Sequence, residues 1–322
     1  MMKSCLGILV LLFFLRCIEC SFRCDYKYST VAQAWFKHFV VPATWYDARL
    51  RCSLEGAILA SPTTPEIEAE MTQILKNFFS SESEMFTGIH ATFSQGDYST
   101  VEGIPLSEIP TNWAEREPDN PGNKESCITI NHHGDLADRS CKETRPYICY
   151  RSYTLEKKAN ECGTVDSEYR LDPRTKKCYK FHTEPRTFSR ANFACYAEGG
   201  HLVIINSETE ATVIRELFAK YPAFKMSGIF WKDVAFVGFS NWGEQGEFRT
   251  IHGQTLWEAG YANFSPGEPN NSTTGEECGA IYRTSLLIDL WCNNVYAFIC
   301  EKDPKYPAVC NAHVNDTQTA VN

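Results

Sequence analysis

The stretch that decides the fold runs from Gly267 to Cys300 and reads GEPNNSTTGEECGAIYRTSLLIDLWCNNVYAFIC. It begins with a Glu-Pro-Asn tripeptide and contains three cysteines. An earlier stretch, from Glu117 to Cys149, reads EPDNPGNKESCITINHHGDLADRSCKETRPYIC and repeats the same spacing of acids and cysteines. Because chance would not preserve every interval, the chain contains two copies of one structural unit.

The length of 322 residues is sufficient for two domains of about 130 residues, each large enough to bury a core. We predict a first domain over residues 24–150 and a second over residues 162–302, joined by a polar linker over 151–161. Residues 1–20 combine an early lysine with an apolar run too short to span a bilayer, which predicts a secretory signal peptide. Residues 303–322 form a polar tail. The prediction is a secreted, extracellular protein without a membrane span.

Fifteen cysteines in a chain that enters the secretory route indicate a disulfide framework. Removal of the signal leaves twelve cysteines. The repeat, and the short segment that separates the cysteines at 162 and 178, suggest five pairs: Cys52 with Cys149, Cys127 with Cys141, Cys162 with Cys178, Cys195 with Cys300, and Cys278 with Cys292. Cys24 and Cys310 remain. They pair either with each other, which ties the chain ends together, or with a second chain, which makes a disulfide-linked dimer.

Each copy opens with an aromatic strand and a helix that carries the first long-range cysteine. In the first copy the second helix begins at Thr64, and its predicted buried stripe is Ile67, Met71, Ile74 and Phe78. In the second copy Ser207 and Glu210 predict a capping box at the start of the corresponding helix. Short strands and loops follow. The predicted fold class is therefore α+β, with two helices, short antiparallel sheets and long loops in each domain.

Charge and motifs exclude two classes of function. The formal net charge is −9, and an acidic secreted protein is a poor binder of nucleic acid. The best candidates for catalysis are His132 and His133 with Asp135 and Asp138, or with Ser140 near them. No nucleophile lies in a hydrolase context such as Gly-x-Ser-x-Gly, and adjacent histidines in an extended loop point in different directions. The sequence predicts a binding protein and not an enzyme.

Together these features resemble the C-type lectin-like domain, in tandem over nearly the whole mature chain. Gly-Glu-Pro-Asn-Asn, a second glutamate eight residues after the first, an aspartate before the third cysteine, and Phe-Ile-Cys-Glu carry the resemblance. It implies a calcium ion that sits in a loop and coordinates two sugar hydroxyls, since calcium takes about six to eight oxygen ligands. The implied calcium ligands are Glu268, Asn270, Glu276 and Asp289 in the second domain, and Glu117, Asp119, Glu125 and Asp138 in the first. The implied carbohydrate-binding residues are Glu268, Asn270 and Glu276.

The chain departs from the family pattern at one ligand position. Sugar-binding members carry an asparagine directly before the aspartate, where this chain has Ile288 and Ala137, and neither side chain offers an oxygen or an amide. Asn270 can still donate a hydrogen bond to a sugar, whereas an ionised Asp119 only accepts. The second domain is therefore the better candidate for sugar binding, and its Glu-Pro-Asn form is associated in the family with mannose-type sugars.

Two functions remain open from the sequence. The first is a glycan- or glycoprotein-binding protein that uses calcium in the second domain. The alternative is calcium-independent recognition of a protein or surface without sugar binding, which the missing asparagine favours. Glycosylation sequons begin at Asn263, Asn270, Asn271 and Asn315, and a glycan on Asn270 would block its use as a ligand.

Overall fold

The computed structural model describes residues 21–80, 83–94, 96–110, 112–152, 159–241, 247–270 and 275–311. The predicted signal peptide, part of the predicted linker, the end of the tail and the sequons at Asn271 and Asn315 lie outside these residues. The side chain of Cys310 is also outside the described part. In the described ranges, no helix is long and apolar enough to cross a membrane.

The first part of the described chain folds around one mixed sheet. Its elements are β1 (Ser21–Arg23), β2 (Lys27–Ser29), β3 (Ala34–Ala43), α1 (Trp45–Leu54), β4 (Ile58–Leu59), α2 (Pro65–Phe78), β5 (Met85–His90), β6 (Ser99–Thr100), β7 (Asn112–Trp113), β8 (Cys127–Ile130), β9 (Asp135–Arg139) and β10 (Arg145–Ser152). The sheet has the order β2-β3-β10-β5-β8-β9-β7, and β4 and β6 pair at its sides with β10 and β5. We call this unit the first module.

The second part repeats this architecture. Its elements are β11 (Arg170–Asp172), β12 (Lys177–Arg186), α3 (Phe188–Ala197), β13 (His201–Leu202), α4 (Glu208–Ala219), β14 (Val234–Ser240), β15 (Arg249–Thr250), α5 (Leu256–Ala259), β16 (Glu276–Tyr282), β17 (Leu287–Trp291), β18 (Tyr296–Lys302) and β19 (Val309–Asn311). The sheet order is β11-β12-β18-β14-β16-β17, with β13 beside β18 and β15 beside β14. We call this unit the second module.

Both sheets contain the predicted antiparallel pairs and, in addition, parallel pairs that the sequence pattern did not indicate. β10 runs parallel to β5, and β18 runs parallel to β14. In each module the last strand returns from the long loop into the centre of the sheet, between the first long strand and the strand that follows the second helix. That insertion brings two strands of the same direction together. The α+β class itself is confirmed.

The buried face of α2 differs from the predicted stripe. Ile67, Met71 and Leu75 are buried, and they follow one ridge of the helix at intervals of four residues. Phe78, at the last position of the helix, is 46% exposed and stacks on the ring of His38 with the ring centroids 4.0 Å apart. The helix therefore contacts the core over a shorter length than its apolar pattern suggests.

The predicted capping box at Ser207 forms only in part. The Ser207 hydroxyl accepts a hydrogen bond from the main-chain N–H of Glu210 at 3.2 Å. The Glu210 carboxylate, however, accepts from the N–H of Asn206 at 2.9 Å, one residue before the cap. Glu210 is fully buried, and its other oxygen accepts from the hydroxyl of Tyr179 on β12. The tertiary contact thus fixes the glutamate in a position that the sequence motif alone does not predict.

Five disulfides whose two side chains both lie in the described ranges connect the helices and loops to the sheets. The pairs are Cys52–Cys149, Cys127–Cys141, Cys162–Cys178, Cys195–Cys300 and Cys278–Cys292. In each module one bond joins the first helix to the central strand, and one bond joins the ends of the two strands that carry the candidate ligands. Such crosslinks typically add about 2–4 kcal/mol each to stability.

The two ends of the described chain meet. β1 pairs with β19, and the main-chain N–H of Cys24 donates to the carbonyl of Ala308 at 2.8 Å. Cys24 is disulfide-bonded. The modules also contact through their first helices, where the guanidinium of Arg51 lies over the ring of Tyr196 at 5.1 Å and Arg190 pairs with Asp47. The backbone pairing of β1 with β19 brings the two ends of the described chain together, and the disulfide partner of Cys24 stays a prediction.

A buried carboxylate fastens the end of the first helix to the sheet in each module. In the second module Glu198 accepts hydrogen bonds from the Tyr169 hydroxyl at 2.8 Å and from the Lys180 ammonium at 2.9 Å. In the first module Glu55 accepts from Tyr26 and Lys37 in the same way. A buried charge is stable only when it is paired and hydrogen-bonded, so these contacts are requirements of the fold.

The side chain of Lys180 is the most sensitive point of this arrangement. We expect Lys180→Met to lower the free energy of unfolding by about 2 kcal/mol, because the carboxylate of Glu198 loses one charged hydrogen-bond partner and keeps His182 and Tyr169. Denaturant unfolding of the full chain measures the change. The control Lys220→Met, at an exposed position of the same module, should change stability by less than about 0.5 kcal/mol. Equal effects of the two substitutions would contradict the assignment.

Candidate functional site

In the second module the implied ligands come from one loop and two neighbouring strands. Glu268 and Asn270 lie in the loop before β16, Glu276 is the first residue of β16, and Asp289 lies on β17. The main-chain N–H of Asn270 donates to Oδ1 of Asp289 at 3.2 Å, and its side-chain amide donates to Glu268 at 2.7 Å. The structure therefore brings Glu268, Asn270 and Asp289 together at one edge of the sheet.

The carboxylates of this site influence each other. Burial, together with the hydrogen bond and the charge of Asp289, raises the pKa of Glu268 to about 7. Asp289 itself is almost fully buried, and it sits among the strands of the core. Two carboxyl groups held this close favour either a shared proton or a bound cation.

The first module repeats the loop geometry. The main-chain N–H of Asp119 donates to Oδ1 of Asp138 at 3.1 Å, and the preceding Glu117-Pro118 peptide is cis, like Glu268-Pro269 in the second module. Glu117, Asp119 and Asp138 offer carboxylate oxygens that all lie within 4.8 Å of one another. Among the described residues this is a group with the spacing of a metal site, and its members are three of the four ligands that the resemblance implies.

Two carboxylate oxygens of the first site have no hydrogen-bond partner within the described residues. They are the buried Oε2 atoms of Glu117 and Glu125. Burial, and then the charge of Asp138, raise the pKa of Glu125 to about 7. A buried oxygen without a donor is unfavourable, and a hard cation such as calcium is the group that would satisfy several at once. The donor set of the first site therefore fits calcium.

An arginine that the sequence reasoning missed holds the first site in place. Arg139 donates from Nη1 to Oε1 of Glu117 at 2.7 Å, and from Nε and Nη2 to the two oxygens of Glu84 at 3.0 and 2.8 Å. Glu117 is thus fixed through one oxygen while the other stays unpaired. The corresponding position in the second module is the buried Leu290. The signal in the sequence that could have indicated this role is that the two repeats differ at the position directly after the aspartate.

The residues that replace the family asparagine do not face the site. Ala137 and Ile288 are each 3% exposed. Ile288 packs in the core cluster that also contains Phe236 and Leu290. Neither position can supply an oxygen ligand, and the carboxylates and main-chain groups of the loop remain as the donors.

The other titratable groups considered for chemistry have structural roles. His182, Glu198 and Cys300 also lie within metal-binding distance, but the sulfur of Cys300 is bonded to Cys195 and Glu198 is already paired with Lys180. His132 and His133 lie in the turn between β8 and β9. No nucleophile is arranged with a general base among them.

The fold and the site define a class: a disulfide-stabilised α+β module, present twice, with a loop of oxygen donors at one edge of each sheet. The chain belongs to the family of the lectin C-type domain, whose model matches residues 41–151 and 184–302. The sequence-based prediction of two tandem domains of this type is confirmed. The family consists of binding proteins, which agrees with the prediction that the chain is not an enzyme.

Several known proteins are similar to this chain. A hemolymph lipopolysaccharide-binding protein of Periplaneta americana is 39% identical over 124 residues, covering 38% of this chain and 48% of the relative. The human C-type mannose receptor 2 is 25% identical over 283 residues, covering 82% of this chain and 17% of the receptor. The chain thus spans about half or less of the length of these relatives. The carbohydrate-recognition domain of the mouse scavenger receptor C-type lectin is 25% identical, covering 42% of this chain and 96% of that domain with a TM-score of 0.36.

The crowding of carboxylates in the first site gives a stability prediction. We expect Glu125→Gln to raise the free energy of unfolding by about 1 kcal/mol in the presence of a chelator, because it removes one of several like charges that lie near each other. Thermal unfolding of the full chain in chelator measures this change. Glu108→Gln, at an exposed position of the same module, serves as the control and should leave the melting temperature unchanged. A loss of stability in Glu125→Gln would show that the negative charge of Glu125 does not destabilise the calcium-free fold.

Proposed function

We propose that this protein is a secreted glycan-binding protein whose second module binds a mannose-type sugar with the help of calcium. The observation that carries the proposal is a contact made in both modules. The main-chain N–H of the residue after the proline donates to the strand aspartate, at 3.1 Å from Asp119 to Asp138 and at 3.2 Å from Asn270 to Asp289. This contact gathers loop and strand oxygens at one point, which a cation with oxygen ligands requires.

Each residue of the second site has a distinct role in the proposal. Glu268, Asn270, Glu276 and Asp289 would hold the ion, and the ion supplies coordination of two sugar hydroxyls when it is bound. The carboxylates accept hydrogen bonds from those hydroxyls, and the amide of Asn270 donates one. The exposed position of Asn270 allows this contact, whereas the buried Asp289 serves the ion alone.

The first site, formed by Glu117, Asp119, Glu125 and Asp138, would hold calcium more strongly and bind sugar less well. Its unpaired buried oxygens and its additional carboxylate support the first half of this statement. The absence of an amide among its four side chains supports the second half, because an ionised carboxylate cannot donate to a sugar hydroxyl.

The relatives support a glycan or a glycoprotein as the partner. Their names refer to lipopolysaccharide binding and to mannose. Secretion is supported by the five disulfides of the described residues, because such bonds persist in oxidising compartments. The alternative function is calcium-independent recognition of a protein or surface. It is favoured by the apolar side chains of Ala137 and Ile288, which leave each site one ligand short of the family pattern.

Asp119 and Asn270 occupy the same position after the proline, and exchanging them should change the calcium affinities of the two sites in opposite directions. We expect Asp119→Asn to weaken calcium binding in the first site by about fivefold, and Asn270→Asp to strengthen it in the second by a similar factor, because ligand charge sets calcium affinity. Calorimetric titration of the full chain measures each site, with Asp289→Asn or Asp138→Asn used to weaken the other. Asn77→Asp, on the exposed side of α2, is the control for added charge. Unchanged affinities in both exchanges would remove these residues from the ligand set.

Retention of the full chain on immobilised mannose tests the sugar-binding step. We expect retention in calcium, elution by chelator, and loss of retention in Glu268→Gln, because the substitution removes a carboxylate that serves both ion and sugar. Glu102→Gln in the first module should be retained like the unmodified chain. Retention that survives chelator, or no retention together with no calcium binding, would instead support the calcium-independent alternative.

A further inference from the structure

The first module has another candidate binding site in addition to its candidate calcium site. A cleft of about 450 Å³ opens between the start of α1, the loop after β5 and the ends of β8 and β9. Its lining includes two aromatic rings, two lysines and two serines: Tyr46, Phe93, Lys124, Lys142, Ser126 and Ser140. We propose that this cleft binds a saccharide that carries an anionic group, either a carboxylate or a phosphate, and that it does so without calcium.

The two lysines make the cleft positive in an acidic protein. Lys124 and Lys142 are both exposed, and in the described part of the chain neither ammonium has an ion-pair partner. Two of the acids near them are paired with arginines, since Glu143 pairs with Arg145 at 2.7 Å and Asp47 pairs with Arg190. Glu125, which follows Lys124, belongs to the acidic site beside the cleft. The formal charge of the whole chain is −9, so the two unpaired ammonium groups differ in sign from the chain as a whole. It fits an anionic ligand.

Two exposed aromatic rings flank the lysines, and each is held by a buried neighbour. Phe93 is 92% exposed, and its ring lies edge-on against His90 with the centroids 5.1 Å apart. Tyr46 is 47% exposed and lies edge-on against the buried Trp45 at 5.6 Å. Exposed apolar side chains that line one cleft with polar residues around them are typical of a ligand-binding groove. Supported rings of this kind suit the C–H face of a sugar, which packs against an aromatic ring while its hydroxyls stay hydrated.

Small hydroxyl side chains complete the polar lining. Ser126 and Ser140 border the disulfide Cys127–Cys141, which ties the ends of β8 and β9 together. Their hydroxyls both donate and accept, and this is the property needed to bind the hydroxyl groups of a sugar. A lining of aromatic rings, hydroxyls and ammonium groups therefore matches a charged sugar better than it matches an apolar or a purely ionic ligand.

The described residues of the second module differ from the first at several positions that line the cleft. The positions that correspond to Lys124 and Lys142 are Gly275 and Asn293, and the position of Ser140 is taken by Trp291. The indole of Trp291 lies so close to Gly275 that a Cβ atom there would be 2.5 Å from the ring. The tryptophan occupies the space that is open in the first module. The cleft is thus described for the first module, and none of the residues that line it is an implied calcium ligand.

The test uses the full chain in the presence of a chelator, so that calcium-dependent sugar binding is absent. Tetragalacturonate, mannose 6-phosphate, neutral mannose and inorganic phosphate are titrated separately by calorimetry. We expect at least one of the two acidic saccharides to bind and neutral mannose not to bind. Comparing the affinities for tetragalacturonate and mannose 6-phosphate then shows whether the cleft prefers a carboxylate or a phosphate. Binding should weaken as the salt concentration rises.

Three variants locate the binding. We expect Lys124→Gly combined with Lys142→Asn to lower the affinity at least tenfold, and Phe93→Ala to lower it by about tenfold. The double variant Lys76→Gln with Lys220→Gln, at exposed lysines away from the cleft, is the charge-matched control and should change affinity less than twofold. All variants should keep calcium-dependent retention on mannose if that property exists, which separates this site from the proposed function.

Three outcomes would overturn the proposal. The first is that neither acidic saccharide binds in chelator while the chain is folded. The second is that the cleft variants bind the saccharides as tightly as the charge-matched control does. The third is that inorganic phosphate binds as tightly as mannose 6-phosphate while tetragalacturonate does not bind, because the sugar ring and the aromatic side chains then contribute nothing.

Discussion

The candidate sites of this protein depend on a buried carboxylate on a strand that accepts a hydrogen bond from a loop. Asp138 and Asp289 are 0% and 1% exposed, and a carboxylate buried to this degree needs donors. The N–H of the residue after the proline is one such donor in each module. Because that bond fixes the loop against the strand, the side chains on either side of the proline are held at the same edge of the sheet. The remaining geometry of each site, including which oxygens can meet at one point, follows from this constraint.

The two modules use the same frame to hold different charges. At the position after the proline, Asp119 carries a carboxylate where Asn270 carries an amide, and after the strand aspartate Arg139 stands where the second module has Leu290. The first site gains acidic oxygens and an arginine that orients one of them. The second gains an amide that already satisfies one carboxylate. Duplication has therefore kept the hydrogen-bonded frame and changed the electrostatics, so that equal folds need not have equal ligands.

The sequence predicted those parts of the structure that depend on spacing along the chain. Equal intervals between acids and cysteines indicated the duplication and the family, and the helix start at Thr64 follows from a local cap. The sequence-based predictions were incomplete where the structure depends on contacts between residues that are distant in sequence. Glu210 leaves its capping box for a contact with Tyr179, Arg139 reaches back to Glu84, and the cleft brings Tyr46 and Phe93 beside Lys142. None of these contacts has a sequence pattern, because each requires knowledge of which strands become neighbours.

The way the modules are joined affects how the two candidate sites could act together. The chain ends pair through β1 and β19, and the first helices contact through Arg51 and through the ion pair of Arg190 with Asp47. Linked sites increase avidity only when both can reach their targets at once, and a short, fixed connection sets one distance at which that is possible. With a flexible linker, the two sites could bind ligands at many distances from each other. Modules that pack against each other hold the two sites at one distance, so they favour a surface whose ligands are that far apart. Packing between the modules would therefore contribute to specificity even if each site alone discriminated poorly.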